Sequence, residues 1–330
     1  MNRSYSAVLL LIFCCLYMGF SGCFSETSYT TYYFDYFDTF STLTVYASSE
    51  EEAAKYDEIT RQALEFYHQL YNAYVPYDGV VNLYTLNTSA GQGAVTVSPE
   101  LYDFLAYCLD AYEVSRHTVN IALGPVLALW QEALYSDTHT LPEETALQEA
   151  SCFCDPSGLI LNKDQCSAEL LYPEMRLDAG ALAKGYAAGQ IELLLRQAGC
   201  RRALFSAGGN VVCIGSPPGL NGWKVGIQNP DTTSDVSLYT TWLVKDSSVV
   251  TSGDYERYFD LDGMRYHHII DPATLQPGRR YHSVTVSCKD SAAADMLSTA
   301  LFLLPEEEGR SLAAEYGARV LYIYNDYTSG

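Results

Sequence analysis

The sequence predicts an α+β fold. Short apolar strands and amphipathic helices are mixed along its 330 residues, without the regular strand–helix–strand rhythm of a doubly wound sheet. Hydrophobic residues make up 48% and charged residues 18%, a balance that builds a buried core and excludes a disordered chain. A chain of this length forms one large domain or two closely fused parts.

Taken in order, Met1-Asn2-Arg3 precedes an apolar run from Ala7 to Phe20. The run is too short to span a bilayer and has the form of a signal-peptide core. Ser21-Gly22-Cys23 resembles a bacterial lipobox. That resemblance predicts a signal peptide over 1–22, lipidation of Cys23, and a lipid-anchored place on the extracytoplasmic side of the cell membrane. Residues 23–35, rich in Ser, Thr and Tyr, read as a tether, and the folded domain as 36–330.

Phe40 to Ala47 alternates as a strand does. Ser48 or Ser49 then caps a helix whose first acids, Glu50, Glu51 and Glu52, suit the positive end of its dipole. Ile59, Ala63, Phe66 and Leu70 keep its apolar stripe. A second helix begins at Ser98-Pro99-Glu100, as cap, first-position proline and acid. The stretch 136–172 reads as a loop-rich edge. Strands follow at Met175–Leu177, Ala203–Phe205, Trp223–Ile227, Val249–Thr251, Ser283–Ser287 and Val320–Tyr324, with helices over 181–198, 291–304 and 306–317.

The net charge of -21 excludes a nucleic-acid-binding role, since no basic stripe exists to displace counterions from phosphates. It also repels anionic lipid, so membrane association needs a dedicated anchor. Seven cysteines follow Cys23, an odd number that argues against a complete disulfide framework. Cys152, Cys154 and Cys166 lack a fourth ligand at zinc spacing.

Four motifs carry chemistry. Asp178-Ala179-Gly180-Ala181-Leu182-Ala183-Lys184-Gly185-Tyr186 places a carboxylate, small residues and a lysine at a helix start, where free N–H groups suit phosphate. Alone, such a start serves packing just as well. Ser206-Ala207-Gly208-Gly209-Asn210 ends a strand in paired glycines, as a simple turn does or as a close backbone approach to a ligand requires. Thr251-Ser252-Gly253-Asp254 leads through a hairpin at Asp262-Gly263 to His267-His268-Ile269-Ile270-Asp271-Pro272. Adjacent strand residues face opposite ways, so only one of the two histidines faces a site. On a helix, Asp295 and Thr299 are four apart and set two hard oxygens on one face, a pair suited to Mg2+ or to a hydrogen-bonded partner.

The order and spacing of these motifs, with Ser283-Val284-Thr285-Val286 between the last two, resemble the FAD:protein FMN transferase (ApbE) family over about residues 36–305. Phe37-Asp38-Thr39, Asn82-Leu83 through Asn87, Thr118-Val119-Asn120 and Gly124-Pro125-Val126 with Trp130 stand in the expected order. The resemblance implies a T-fold-like architecture with FAD in a cleft between two closely fused parts. It implies FAD contacts from Phe37, Thr118, Val119, Asn120, Asp178, Lys184 and Ile270, and catalytic roles for His268 and Asp178. Mg2+ would take the Ala181 carbonyl, Asp295 and Thr299, with Ser298 adjacent.

The implied reaction passes FMN from FAD to a Ser or Thr of an extracytoplasmic acceptor flavoprotein and releases AMP. An FAD pyrophosphatase and a non-catalytic FAD-binding lipoprotein are the alternatives. The family's acceptor motif has no copy here, so the acceptor is a separate protein. Two departures stand out: Leu275 follows Thr274 where the family usually has glycine, and Asn120 stands where many members have aspartate.

Overall fold

The computed structural model describes residues 26–330. Its centre is a seven-stranded, wholly antiparallel sheet in the order β1 (Thr27–Tyr36), β2 (Thr39–Ala47), β6 (Ala203–Ala207), β7 (Asn210–Ile214), β10 (Ser247–Gly253), β15 (Tyr281–Cys288) and β16 (Arg319–Tyr324). β3 (Val95–Thr96), β4 (Leu159–Asn162) and β5 (Ser167–Leu170) form a small sheet. Three ribbons pair β8 (Trp223–Gln228) with β9 (Leu238–Val244), β11 (Tyr258–Leu261) with β12 (Met264–His267), and β13 (Ile270–Asp271) with β14 (Gln276–Pro277).

The helices are α1 (Glu50–Leu70), α2 (Leu83–Thr88), α3 (Pro99–Val114), α4 (Gly124–Tyr135), α5 (Glu144–Ser151), α6 (Ala183–Gln197), α7 (Ser291–Leu303) and α8 (Glu306–Glu315). Helices α1, α6 and α7 pack on one face of the large sheet, the segregation that defines an α+β protein. Alternation along the strands sets the two faces. Leu43, Val45, Phe205, Val212 and Val250 join the core under the helices. Leu204, Val211, Cys213 and Val249 face the other way and are covered by Trp223, Val225 and Trp242 of the β8–β9 ribbon.

Local chemistry explains the boundaries. The Ser49 hydroxyl accepts from the Glu52 N–H at 3.1 Å, and the Glu52 carboxylate accepts in turn from the Ser48 N–H at 2.8 Å, so α1 starts where the acids begin. Ser98 accepts from the Leu101 N–H at 3.2 Å and starts α3. Among the described residues no helix is long and apolar enough to cross a membrane. The signal segment and Cys23 lie outside the described residues.

Three expectations are corrected. Residues 27–35, read as part of a tether, belong to edge strand β1, with Tyr33 buried and its hydroxyl donating to Asp57 at 2.7 Å. Met175–Leu177 forms no strand and joins no ladder. The Asn87 side chain satisfies both polar groups of Leu177 instead, at 2.7 and 2.9 Å. The loop-rich stretch 136–172 contains α5, β4 and β5, elements too short to show a period. All seven cysteines from Cys108 to Cys288 are free thiols.

Candidate active-site cleft

Close backbone packing builds the site. Gly185, in the first turn of α6, lies against α7, where an added Cβ would overlap the Cβ of Asp295 and stand 2.7 Å from the Ser291 carbonyl. Only glycine permits that approach. Its N–H donates to Asp295 Oδ2 at 2.7 Å. In an uninterrupted helix this N–H would close on the carbonyl four residues back, that of Ala181. The diversion leaves the Ala181 carbonyl without a hydrogen bond among the described residues.

Asp295 is 5% exposed, and burial raises its pKa against the opposing pull of Lys184, the Gly185 N–H and the Asn210 amide. Asn210 is close enough to act on that carboxylate, yet its buried Nδ2 has no partner in hydrogen-bonding geometry. It sits there because Gly208 and Gly209, both at positive φ (53° and 92°), turn β6 into β7 in two residues. Thr299 lies one turn along α7, and the Ser252 hydroxyl of β10 is 3.3 Å from its Oγ1. Ser298 does not reach the cleft. Its buried hydroxyl donates to the Asp295 carbonyl at 2.9 Å and lies 2.8 Å from Ser252.

Asp295, Thr299, Ala181 and Asn210 line a cleft of about 900 Å³ bordered by the large sheet, α4 and the β8 and β11–β12 strands. Asp178 lines it; its own N–H donates to the Ile121 carbonyl at 2.8 Å. Its carboxylate accepts from the Gly180 N–H at 2.8 Å and from the Tyr74 hydroxyl, which Gln131 meets at 2.7 Å. Burial raises the Tyr74 pKa, and the neighbouring Asp178 raises it further, so the phenol stays a donor. Lys184 lines the cleft, with Nζ only 3.4 Å from the Gly180 carbonyl as its protein partner.

Both histidines line the cleft, because β12 ends at His267 and strand alternation does not extend to His268; their hydrogen bonds tell them apart. His267 is 4% exposed; its Nε2 donates to the Gly278 carbonyl at 2.6 Å and its Nδ1 accepts from the Ile269 N–H at 3.2 Å, which makes it a satisfied core residue. His268 lines the cleft. Its Nδ1 faces the Arg257 carbonyl at 3.4 Å, an acceptor, which leaves the Nε2 lone pair free. Desolvation, then the charges of Arg257, His267 and Lys184, push its pKa down to about 3.

The remaining predicted contacts also line the cleft. Phe37 occupies the β1–β2 turn at φ 54°, a costly conformation for an aromatic residue, held by a 3.0 Å bond from its N–H to His68 Nδ1. Thr118 donates its hydroxyl to the Ser115 carbonyl at 2.7 Å, and Val119 and Ile270 are buried in the wall. The Asn120 amide is committed elsewhere: Oδ1 caps the next turn at Ala122, and Nδ2 donates to the Cys154 carbonyl at 2.8 Å. Asn210 and Ser252 stood within chemistry-bearing motifs without an assigned role, whereas Tyr74 and His68 carried no local signal of a site.

The sequence profile of the ApbE family matches residues 37–322. The chain belongs to the ApbE family. Relatives named FAD:protein FMN transferase in Klebsiella pneumoniae (strain 342) and Treponema pallidum (strain Nichols) are each 36% identical to it. The first match covers 68% of this chain and 68% of the relative, the second 74% and 71%. The crystal structure of the ApbE protein of Thermotoga maritima superposes with a TM-score of 0.81 at 25% identity, covering 92% of this chain and 96% of that one. The flavin transferase ApbE of Vibrio cholerae shares the fold, with a TM-score of 0.77 at 22% identity.

The α+β architecture is therefore the ApbE architecture. Within it, the departure at Leu275 has a structural basis. Leu275 takes the left-handed conformation that glycine favours, at φ 59°. It is 6% exposed, packs with Trp130 and Leu147, and accepts the Trp130 indole N–H at 2.8 Å. Packing thus holds a conformation that glycine would adopt freely.

Proposed function

We propose that this ApbE-family chain is an enzyme that transfers the FMN unit of FAD to a Ser or Thr hydroxyl of an acceptor flavoprotein, with release of AMP. The observation that carries the reading is the pairing of Gly185 with Asp295, which gathers a carboxylate, a hydroxyl and a free carbonyl in a cleft large enough for a dinucleotide.

The donor set fits Mg2+. Among the described residues no group of three or more His, Cys, Asp or Glu is gathered for a metal. A hard cation of this size needs no such cage, since water and substrate phosphates complete its shell. Asp295, Thr299 and the Ala181 carbonyl would hold it, and the pKa of Asp295, raised by burial despite its bond from the Gly185 N–H, is the strain that a cation relieves. When bound, the ion would neutralise charge on the pyrophosphate and on departing AMP.

The chain's own residues supply the rest. Lys184 and the N–H groups at the start of α6 meet phosphate oxygens. Asp178, fixed by Tyr74 and Gly180, orients the nucleotide. The acceptor hydroxyl oxygen forms a bond to the FMN phosphorus while the bond from that phosphorus to the AMP oxygen breaks. His268 Nε2 takes the hydroxyl proton. Phosphate charge beside Lys184 and Arg257 offsets two of the cations that depress the His268 pKa, so the base strengthens when FAD binds.

We further propose that Cys23 carries a lipid and holds the enzyme at the extracytoplasmic face of the cell membrane, on the support of the Ser21-Gly22-Cys23 sequence. Mass spectrometry of an acceptor flavoprotein incubated with the enzyme, FAD and Mg2+ tests the activity. The expected result is a gain of one FMN with stoichiometric AMP, both lost in Asp295→Ala. FMN and AMP without acceptor labelling would instead identify a pyrophosphatase, and bound but unchanged FAD a binding protein.

A further inference from the structure

We propose that the exposed aromatic face of the β1–β2 hairpin is the docking surface for the acceptor polypeptide, an inference that rests on the transferase reading above. Tyr32, Phe34 and Phe40 are 56%, 69% and 51% exposed. They are not scattered: Phe40 lies 5.9 Å from the Tyr32 ring and 5.2 Å from Phe34, centroid to centroid. All three project from the sheet face opposite the helices, as the pairing of Tyr32 with Thr42 and of Tyr33 with Ser41 requires. The β8–β9 ribbon buries the central strands on that face, but these three rings remain in solvent. A contiguous aromatic patch of this kind marks an interaction surface.

Its position selects the partner. Phe40 belongs both to the patch and to the cleft wall, and Phe37, Asp38 and Thr39 continue that wall. A polypeptide seated on the rings therefore lies at the border of the cleft that Asp295, Thr299 and His268 also line. Among the described residues β1 is also the terminal strand of the large sheet, and no other described strand pairs with its outer N–H and C=O groups, an edge suited to an added strand. Exposed Asp35 and Asp38 flank the rings, in a chain of net charge -21. The fitting occupant is an extended acceptor segment with apolar side chains, basic flanks and the reacting hydroxyl beyond them. The chain preceding Thr27 joins β1 at its other end, about 23 Å from Phe34 at 3.3 Å per residue, so the ring end faces away from that junction.

The test compares the full chain with a Tyr32→Thr/Phe34→Thr variant. Both positions are exposed and outside the cleft, and threonine suits a strand. FAD binding is followed by flavin fluorescence, and transfer rate by acceptor titration. The expected result is an acceptor KM raised about tenfold or more, with kcat and FAD affinity unchanged. An unchanged KM overturns the proposal. Sedimentation showing a wild-type dimer that the variant dissolves, with KM unmoved, would assign the patch to self-contact and overturn it too. Loss of flotation with phosphatidylcholine vesicles, with KM unmoved, would assign it to lipid with the same consequence. A wild-type protein that binds FAD yet labels no acceptor would sink the transferase reading first, before any variant is compared.

Discussion

The backbone N–H of Gly185 donates to Oδ2 of Asp295 at 2.7 Å, joining residues 110 apart in sequence. Two helices meet there more closely than side chains allow, and the contact settles the Asp295 carboxylate, the free Ala181 carbonyl and the position of Lys184 together. Gly185→Ala puts a Cβ into Asp295 and should cost about 1–3 kcal/mol of stability. Chemical denaturation would report the cost. Transferase activity should fall further than the loss of folded protein explains.

Asp295→Asn is expected to separate stability from function. Burial raises the Asp295 pKa, so the folded state favours the proton and the ionised form is destabilising above the unfolded value of 3.8. The variant keeps an acceptor for the Gly185 N–H without the buried charge. In metal-free buffer at neutral pH its Tm should exceed that of the wild type, and the gain should vanish as pH falls below 3.8. Its activity should drop about 10²–10³-fold. A Tm that is lower at neutral pH would contradict the account of the carboxylate.

His268 shifts in the opposite sense. Its pKa falls from 6.5 to about 3 on folding, so between these values the unfolded chain binds a proton that the folded chain refuses. Stability is therefore lost as pH drops through that window. Wild type should lose stability relative to His268→Gln between pH 7 and 4, as measured by paired denaturation curves. The variant should also lose transfer by about 10²–10⁴-fold while retaining FAD binding, which flavin fluorescence checks.

Leu275→Gly weighs backbone strain against packing. Releasing the left-handed leucine recovers about 1–2 kcal/mol, whereas deleting a buried leucine costs about 2–5 kcal/mol. The variant should thus be less stable, with a lowered urea midpoint. An increase would mean that strain outweighs burial in the cluster around Trp130.

The elements that were legible in sequence are those whose signals are local. Ser49 and Ser98 announce their helices because a hydroxyl and an N–H three residues on satisfy one another without outside help. Gly208 and Gly209 announce a turn because only glycine adopts positive φ without steric cost. Asp295 and Thr299 share a face in any helix. β1 was missed because the face bearing Tyr32 and Phe34 stays in solvent, so its run of tyrosines shows no clear alternation of polar and apolar residues. Met175–Leu177 was misread because the Asn87 amide, not a neighbouring strand, supplies its partners.

By itself, then, the sequence determined the α+β class, the helix starts, the tight turn and the residue types of the site. The tertiary structure alone decided which of these groups meet: that Asp295 takes the N–H of Gly185, that Tyr74 holds Asp178, and that both ring nitrogens of His267 are bonded while His268 keeps one free. It also decided that Ser298 is turned away and that the Asn120 amide is already bound. The physical reason is range. Caps and turns are satisfied within a few residues, but a buried charge or an unpaired amide is settled by whichever distant backbone the packing brings to it.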